Sequence, residues 1–324
     1  MIRAARHPMI SLEKLQTAAT LVKRAEWRAL RTQIALNFRR LCVAMLHRHQ
    51  PFVHRRLGFA FACFPAVSDS LELYYRGGGE DTLELTLLQS WLERDDAVID
   101  AGANLGVYAI AAAQKLGSEG RVVAIEPSRM LADCIANSAR LLGLDAITVL
   151  SCCVGERVGD TEFFVANDGR PTCEQSRSVA PEFRQDYQRT SVPMLTFDAV
   201  IQAHFAGPVA FIKLDIEGAE LLALRGATAL LAAPDPPLWL VEINPRALSR
   251  FRAAAADVTA FFPSADYDHW LLPHYLHSGA RTQPRRGTHT ERFDDALFYN
   301  LVALPRRGRF APRASRVRSL LQSS

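Results

Sequence analysis

The sequence has 324 residues, of which 49% are hydrophobic and 22% are charged, the composition of a soluble globular protein. No segment approaches the ~20 consecutive apolar residues that a membrane-spanning helix needs. The first residues carry charges but lack the apolar core and cleavage pattern of a secretory signal. We therefore expect a cytoplasmic protein with one large core or two small ones.

The net charge of +4 conceals an uneven distribution along the chain. Residues 1–60 carry twelve Lys and Arg against two acidic residues, and residues 305–324 carry six Arg and no acid. The segment between them is acidic, with 20 basic and 32 acidic residues. This pattern predicts a basic helical extension and linker at 1–79, a folded domain at 80–304, and a basic disordered tail at 305–324.

Apolar residues recur at three-to-four spacing over 11–49, with Lys and Arg between them. This periodicity predicts an amphipathic helix with a basic face. Such a helix can bind a membrane surface as a peripheral anchor, or it can pack on the body or on a second copy of the chain. No aromatic residues that stack on bases alternate with the arginines, so nucleic acid is not expected as a partner.

The six cysteines show neither a C-x-x-C pair nor zinc-ligand spacing. Cys152 and Cys153 are adjacent in an apolar run, and we predict that they are buried free thiols. Free thiols are consistent with a reducing cytoplasm.

Apolar strand-like runs alternate with helical patterns from residue 80 onward. Such alternation indicates an α/β fold with a doubly wound, mostly parallel sheet. The last two strand candidates are joined by a loop, which predicts an antiparallel edge and seven strands in all. The predicted strands are 97–102, 121–126, 147–154, 209–216, 238–243, 267–272 and 296–304, with a small extra strand at 161–165. The predicted helices are 80–94, 107–116, 128–142, 195–204, 219–231 and 245–262, and 171–190 is predicted to be a loop.

A glycine loop follows the first strand of the predicted sheet, with Asp100, Gly102, Asn104 and Gly106 in the string D-A-G-A-N-L-G. Glycine lets a backbone approach a ligand closely, and the helix that follows offers free N–H groups. Dinucleotide sites use G-x-G-x-x-G, so the G-x-x-x-G spacing here disfavours a NAD-linked oxidoreductase. The D-x-G-x-x-x-G pattern resembles motif I of class I S-adenosylmethionine (SAM) methyltransferases.

An acid, Glu126, closes the second predicted strand 24 residues after Gly102. Nucleotide folds place a ribose-binding carboxylate at this position, about 20 residues after the loop. Pro127 directly follows it at the start of the next predicted helix. We therefore expect Glu126 to accept hydrogen bonds from both ribose hydroxyls, the alternative being a solvated acid at a strand end.

Three charged residues stand at alternate positions around the end of the fourth strand: Lys213, Asp215 and Glu217. On a continuing strand they share one face, and burying them is costly unless they are paired or used. A structural salt bridge of Lys213 and a catalytic role remain alternatives. Glu242 ends the fifth strand at the same edge of the sheet, where ligands bind in parallel α/β folds.

Four strings together resemble the FkbM family of SAM-dependent methyltransferases over about residues 72–304. They are D-A-G-A-N-L-G-V-Y-A, A-I-E-P, I-K-L-D-I-E-G-A-E-L-L-A-L-R-G-A and V-E-I-N. The resemblance implies a class I, Rossmann-like fold and SAM as cofactor. It also implies a small-molecule or glycan hydroxyl as acceptor, since members are mostly O-methyltransferases of natural products, sugars and cell-surface glycans. The implied SAM contacts are Asp100, Gly102, Asn104, Gly106, Glu126 and Pro127, and the residues implied to face the transferred methyl are Lys213, Asp215, Glu217 and Glu242.

Several chemical alternatives stay open at this point. Asp215, Glu217 or a nearby histidine can take the proton of the acceptor. We expect no metal, the alternative being a divalent cation held by Asp215, Glu217 and Glu242. The rival functions are an N-methyltransferase acting on an amine and a non-catalytic module that recruits a partner through the basic helix.

Overall fold

The computed structural model describes residues 34, 38, 50–56, 58–65, 67, 70, 82–166, 173–175, 187–275, 283–288, 293–294 and 297–323. The predicted helix 11–49, apart from the exposed helical residues Ile34 and Phe38, lies outside the described residues, as do Gly77–Gly79. The chain divides into two compact units, one of residues 1–52 and 63–77 and one of residues 53–62 and 78–324. In the first unit, the backbone N–H of Phe64 donates to Ser70 Oγ. All further description concerns the second unit.

The strands are β1 (Phe52–Arg56), β2 (Phe59–Cys63), β3 (Ala97–Ala101), β4 (Arg121–Ile125), β5 (Ile147–Leu150), β6 (Cys153–Val154), β7 (Gly159–Ala166), β8 (Cys173–Gln175), β9 (Tyr187–Leu195), β10 (Phe211–Leu214), β11 (Leu238–Ile243), β12 (Tyr267–Tyr275), β13 (Arg285–Arg286) and β14 (Leu297–Pro305). The helices are α1 (Thr82–Trp91), α2 (Val107–Leu116), α3 (Arg129–Leu142), α4 (Phe197–His204), α5 (Glu220–Arg225), α6 (Thr228–Leu231), α7 (Pro245–Arg250), α8 (Ala255–Thr259) and α9 (Ala314–Ser323).

The main sheet has eight strands in the order β13-β12-β14-β11-β10-β3-β4-β5. Strands β11, β10, β3, β4 and β5 are parallel, and β14, β12 and β13 add antiparallel pairs at one edge. This confirms the α/β prediction with its antiparallel edge. The eighth strand is the two-residue β13, which is too short to leave a periodic signal in the sequence.

A second sheet of four strands, β6-β9-β7-β8, departs from the prediction. The expected strand 147–154 is interrupted after Leu150, and its last residues join this sheet. The expected loop 171–190 was wrong where the structure describes it, because 173–175 and 187–190 pair with β7. The sheet is mixed, because β6 and β9 are parallel whereas β7 is antiparallel to both β8 and β9.

The two faces of the main sheet have different characters. One face carries the large apolar core, with Ile99, Ile212 and Val241 all completely buried. Trp239 packs edge-on against Phe197 and Phe262 in that core, geometries worth about 0.5–1.5 kcal/mol per pair beyond area burial. The opposite face also buries apolar residues, among them Val98, Phe211 and Leu240, and it packs against α2. The polar residues of the candidate site lie at the carboxyl edge of that face.

Two predicted helices are each divided in the structure. The segment 219–231 breaks at Gly226, where an added Cβ would lie 2.1 Å from the carbonyl oxygen of Gly155. The segment 245–262 breaks after α7, where Arg252 has a φ of +59°. Apolar periodicity continued across both breaks, because the residues on each side bury the same face.

The predicted disordered tail at 305–324 was wrong. Residues 311–313 form a 3₁₀ turn that leads into α9, and the structure describes both through residue 323. Arg313 is 8% exposed, and its guanidinium donates to Asp96 at 2.5 Å and pairs with Glu93 at 3.0 Å. Val317 and Leu321 are buried one helical turn apart. The basic residues therefore fold because acids of the body complement them.

Asp268 shows the same complementarity. Burial alone would raise the pKa of its carboxyl, but hydrogen bonds and charges from Arg318 and Arg306 outweigh burial and lower the pKa. Within the described residues, no helix has the length and apolar character needed to cross a bilayer.

Candidate active site

The strand register brings five residues into one row at the carboxyl ends of the parallel strands. Ala101 neighbours Ile125 and Leu214, Leu214 neighbours Val241, and Val241 pairs with Leu301. One position beyond these residues stand Glu126, Gly102, Asp215, Glu242 and Asn300. Residues in one register row of a sheet lie about 5 Å apart on the same face, so residues distant in sequence form one polar edge.

The glycine loop that borders this row depends on left-handed backbone. Gly102, Asn104 and Gly106 have φ values of +75°, +52° and +76°. A Cβ on Gly102 would lie 1.7 Å from the carbonyl oxygen of Asp215, so only glycine lets the loop pack against the end of β10.

Asp100 is 1% exposed, and its Oδ2 accepts a hydrogen bond from the backbone N–H of Ala109 at 2.9 Å. This bond fastens the end of β3 to the first turn of α2. A carboxylate at a helix N-terminus is also favoured by the helix dipole. Asp100 therefore stabilises the glycine loop by connecting the strand before it to the helix after it. The motif spacing in the sequence did not predict this role.

Glu126 lies under the loop, where both of its oxygens are anchored. Oε2 accepts from the N–H of Asn104 and Oε1 from the N–H of Ser128, each at 2.8 Å. Burial raises the pKa of Glu126 to about 7, outweighing these two hydrogen bonds, which lower it. Each oxygen keeps a further acceptor site, so the group has the chemistry to receive a ribose diol. Pro127 comes directly before Ser128, the N-cap of α3.

Lys213 and Asp215 form an ion pair with 2.7 Å between Nζ and Oδ2. The Lys213 side chain is 9% exposed and that of Asp215 33%. The same Nζ lies 4.8 Å from the centroid of the Tyr108 ring on α2, a cation–π distance. The salt bridge considered as an alternative for Lys213 is therefore present, and it fixes the orientation of Asp215.

The expected shared strand face does not extend to Glu217. Strand β10 ends at Leu214, and Glu217 and Gly218 have φ values of +58° and +104°. The chain turns here because Gly218 packs against α7, where a Cβ would lie 2.4 Å from the carbonyl oxygen of Ala247. Glu217 approaches the site from an exposed turn.

Glu242 stands between Asp215 and Asn300 in the polar row. Burial raises the pKa of its carboxyl well above the ordinary range, and the charges of Asp215, Glu217 and Glu220 raise it further. Lys213 acts in the opposite direction but does not compensate. A carboxyl held among like charges is a stronger base once it has lost its proton.

Sequence reasoning missed Asn300 and Glu84. Asn300 pairs across the sheet with Glu242, and its side-chain nitrogen donates to Glu84 Oε1 at 3.1 Å. Both residues are buried, at 9% and 1% exposure. Each is a lone polar residue at a position where the helical or strand period predicts an apolar one, and this signal could have identified them.

Cys63, Cys134, Cys152 and Cys153 are buried and form no disulfide within the described part of the chain, which confirms the buried thiols predicted for the adjacent pair. Among the described residues, no three His, Cys, Asp or Glu side chains are grouped as a metal site.

A parallel sheet with a glycine loop, a buried acid after the second strand and a polar row at its carboxyl edge defines a nucleotide-type ligand site of the Rossmann-like class. The methyltransferase FkbM domain matches residues 100–268, more than half of the chain. The protein belongs to the FkbM methyltransferase family. It is an enzyme, and SAM is its methyl donor.

The solved structures that match this chain include the methyltransferase FkbM from Methylobacillus flagellatus KT, at 19% identity and a TM-score of 0.38. That similarity covers 71% of this chain and 54% of the other. The O-methyltransferase from Bacillus cereus in complex with SAH is 16% identical over 70% of this chain and 80% of its own, with a TM-score of 0.38. A putative rRNA-methylase from Clostridium thermocellum is 11% identical over 70% and 94%, also with a TM-score of 0.38. No curated protein matches the sequence.

Proposed function

We propose that this enzyme transfers a methyl group to a hydroxyl of a sugar, a glycan or a natural product. A hydroxyl acceptor must lose its proton as the new bond forms, so the site needs a base. The observation that carries the proposal is Glu242, a carboxyl of raised pKa surrounded by three further carboxylates at the ligand edge of the sheet.

We infer that the glycine loop and Glu126 hold the cofactor. Glu126 accepts hydrogen bonds from the ribose, and Gly102, Asn104 and Gly106 give the backbone its close approach. Asp100 and Pro127 shape the loop and the start of the next helix. SAM supplies an electrophilic methyl group that needs mainly correct alignment with the attacking oxygen.

Glu242 is the proposed general base, and Asp215 and Glu217 are proposed to orient the acceptor. The ion pair with Lys213 holds the Asp215 carboxylate in one orientation, which suits a residue that positions the acceptor. Glu242 takes the proton from the acceptor hydroxyl, and its like-charged neighbours favour this protonation. Asn300, the cross-strand neighbour of Glu242, is buried and bonded to Glu84.

The test compares Glu242→Gln with Asp215→Asn in the full chain, using methyl transfer from labelled SAM to a glycan and metabolite extract of the source organism. We expect both variants to bind SAH like the wild type and Glu242→Gln to lose about 10²–10⁴-fold in turnover, the usual contribution of a general base. Unchanged turnover in Glu242→Gln would remove this residue from the mechanism. A labelled product with the methyl carbon on nitrogen would favour the N-methyltransferase instead.

A further inference from the structure

The turn that follows β10 has an unusual backbone. Glu217 and Gly218 are consecutive residues with left-handed φ values of +58° and +104°. A non-glycine residue in this region is uncommon and persists only where its surroundings hold it. The turn carries Asp215 and Glu217, so whatever holds it also places these two carboxylates.

One oxygen of Glu220 holds the turn from inside. Glu220 Oε1 accepts from the backbone N–H of Ile216 at 3.0 Å and from that of Gly218 at 3.1 Å. The side chain is 1% exposed and begins α5. The two N–H groups belong to the residues before and after Glu217, so a single oxygen restrains the backbone on both sides of the left-handed residue.

The other oxygen of Glu220, Oε2, is not stabilised by a hydrogen bond from any described residue at this position. Oε2 is buried, and no donor within the described part of the chain lies at hydrogen-bond distance from it. Burial, and to a lesser extent the charge of Asp215, raise the pKa of the carboxyl to about 7, against backbone hydrogen bonds that lower it. Burying a carboxyl with an unsatisfied oxygen is costly. Packing of α5 alone would favour an apolar side chain at this position. We therefore attribute the presence of an acid to the two hydrogen bonds that Oε1 accepts from the turn.

The turn is also enclosed on both sides by backbone. The carbonyl of Asp215 lies against Gly102 of the cofactor loop, and Gly218 lies against the carbonyl of Ala247 in α7. A change in the turn therefore displaces carboxylates that face the acceptor while the two flanking elements stay in place.

We propose that Glu220 is a positioning residue that holds the turn 215–218 and thereby places Asp215 and Glu217 beside Glu242. The identity of the reaction rests on the proposed function, whereas the effect on the turn does not depend on it.

The test uses the full chain with Glu220→Ala, Glu220→Gln and, as a matched control, Leu221→Ala. Glutamine keeps a side-chain carbonyl in place of Oε1, and Leu221→Ala removes buried apolar contacts of the same helix without touching the turn. Site-resolved amide exchange reports the Ile216 and Gly218 N–H groups. Calorimetry with SAH and methyl transfer from labelled SAM to the extract report binding and turnover.

We expect Glu220→Ala to lose exchange protection at both amides and to lose about 100-fold in kcat, the cost of misplacing reacting groups by about 1 Å. Its SAH affinity stays that of the wild type. Glu220→Gln restores both protection and kcat, and Leu221→Ala keeps both despite a lower melting temperature. If the alanine variant does not fold, Glu220→Asp, which withdraws the carboxyl by one methylene, is measured in the same way.

Wild-type protection of the two amides in Glu220→Ala would overturn the proposal, as would lost protection with unchanged kcat, or failure of glutamine to restore the activity. If the wild type methylates nothing in the extract, the proposed function fails, and the exchange result still decides whether Glu220 holds the turn.

Discussion

Single glycines decide whether the cofactor loop and the β10 turn can pack together. For Gly102→Ala we expect a loss of at least about 3 kcal/mol in the free energy of unfolding. About 1–2 kcal/mol comes from the left-handed backbone, and the rest from overpacking, because the new Cβ would lie 1.7 Å from the Asp215 carbonyl oxygen. Urea unfolding measures the loss, and we also expect SAH binding to disappear.

Gly117 supplies the matched control for this change. It has a φ of +71°, but a Cβ there has no atom within 4 Å. Gly117→Ala therefore tests the backbone cost alone, about 1–3 kcal/mol for a conformation essentially restricted to glycine. Equal losses in the two variants would show that the contact between the loop and the turn does not matter.

Glu126 predicts a pH dependence of cofactor binding. Its pKa of about 7 in the free protein means that the carboxyl is largely protonated at pH 6, where it accepts fewer hydrogen bonds from a ribose. We expect SAH affinity to fall about ten-fold from its plateau above pH 8 to pH 6, as calculated for binding to the ionised form only. Calorimetry across this range measures the effect.

Glu126→Gln is the control, since its affinity is expected to be weaker and nearly independent of pH. A wild-type profile that is flat between pH 6 and pH 8 would contradict the prediction. The same group affects stability in the opposite direction. Because the folded state holds the proton more tightly than the unfolded chain, its contribution to the free energy of unfolding falls as pH rises from the ordinary carboxyl range through about 7.

At the scale of elements, a buried ion pair holds the 3₁₀ turn that leads into α9 against the segment between α1 and β3. Arg313 and Asp96 have side chains 9% and 1% exposed. Removing one partner leaves the other charge buried, which costs about 3–5 kcal/mol. We expect Arg313→Leu to lose that amount in urea unfolding.

Arg316 pairs with Glu93 in the same region, but both side chains are about half exposed, at 55% and 45%. Arg316→Leu is therefore expected to cost less than about 1 kcal/mol. If the two leucine variants unfold at the same urea concentration, the buried pair does not hold the helix.

The elements also show what local pattern can and cannot predict. The glycine loop and Glu126 were found because strand, turn and helix signals stand together within some thirty residues. The turn at Glu217 was missed because its cause lies in Gly218 packing on α7. Asn300 and Glu84 were missed because their partner is 216 residues away. The prediction of a disordered tail at 305–324 was wrong for the same reason, since acids distant in sequence pair with its arginines.

At the scale of the whole molecule, the structure explains part of the charge asymmetry of the sequence. Arg306, Arg307, Arg313, Arg316 and Arg318 all form salt bridges with acids of the body. The basic carboxyl-terminal residues are therefore part of the folded charge balance of the acidic domain. The excess positive charge that remains lies in residues 1–60.

The pairing of Arg313 with Asp96 has a consequence for the order of synthesis. Asp96 leaves the ribosome 217 residues before its partner, which at about 5–20 residues per second is a delay of about 10–40 seconds. Throughout that interval the corner between α1 and β3 carries an acid without its arginine and Trp91 without the ring of Phe310 that packs on it. During this interval the nascent domain exposes an unpaired acid and an uncovered aromatic ring, to which chaperones can bind.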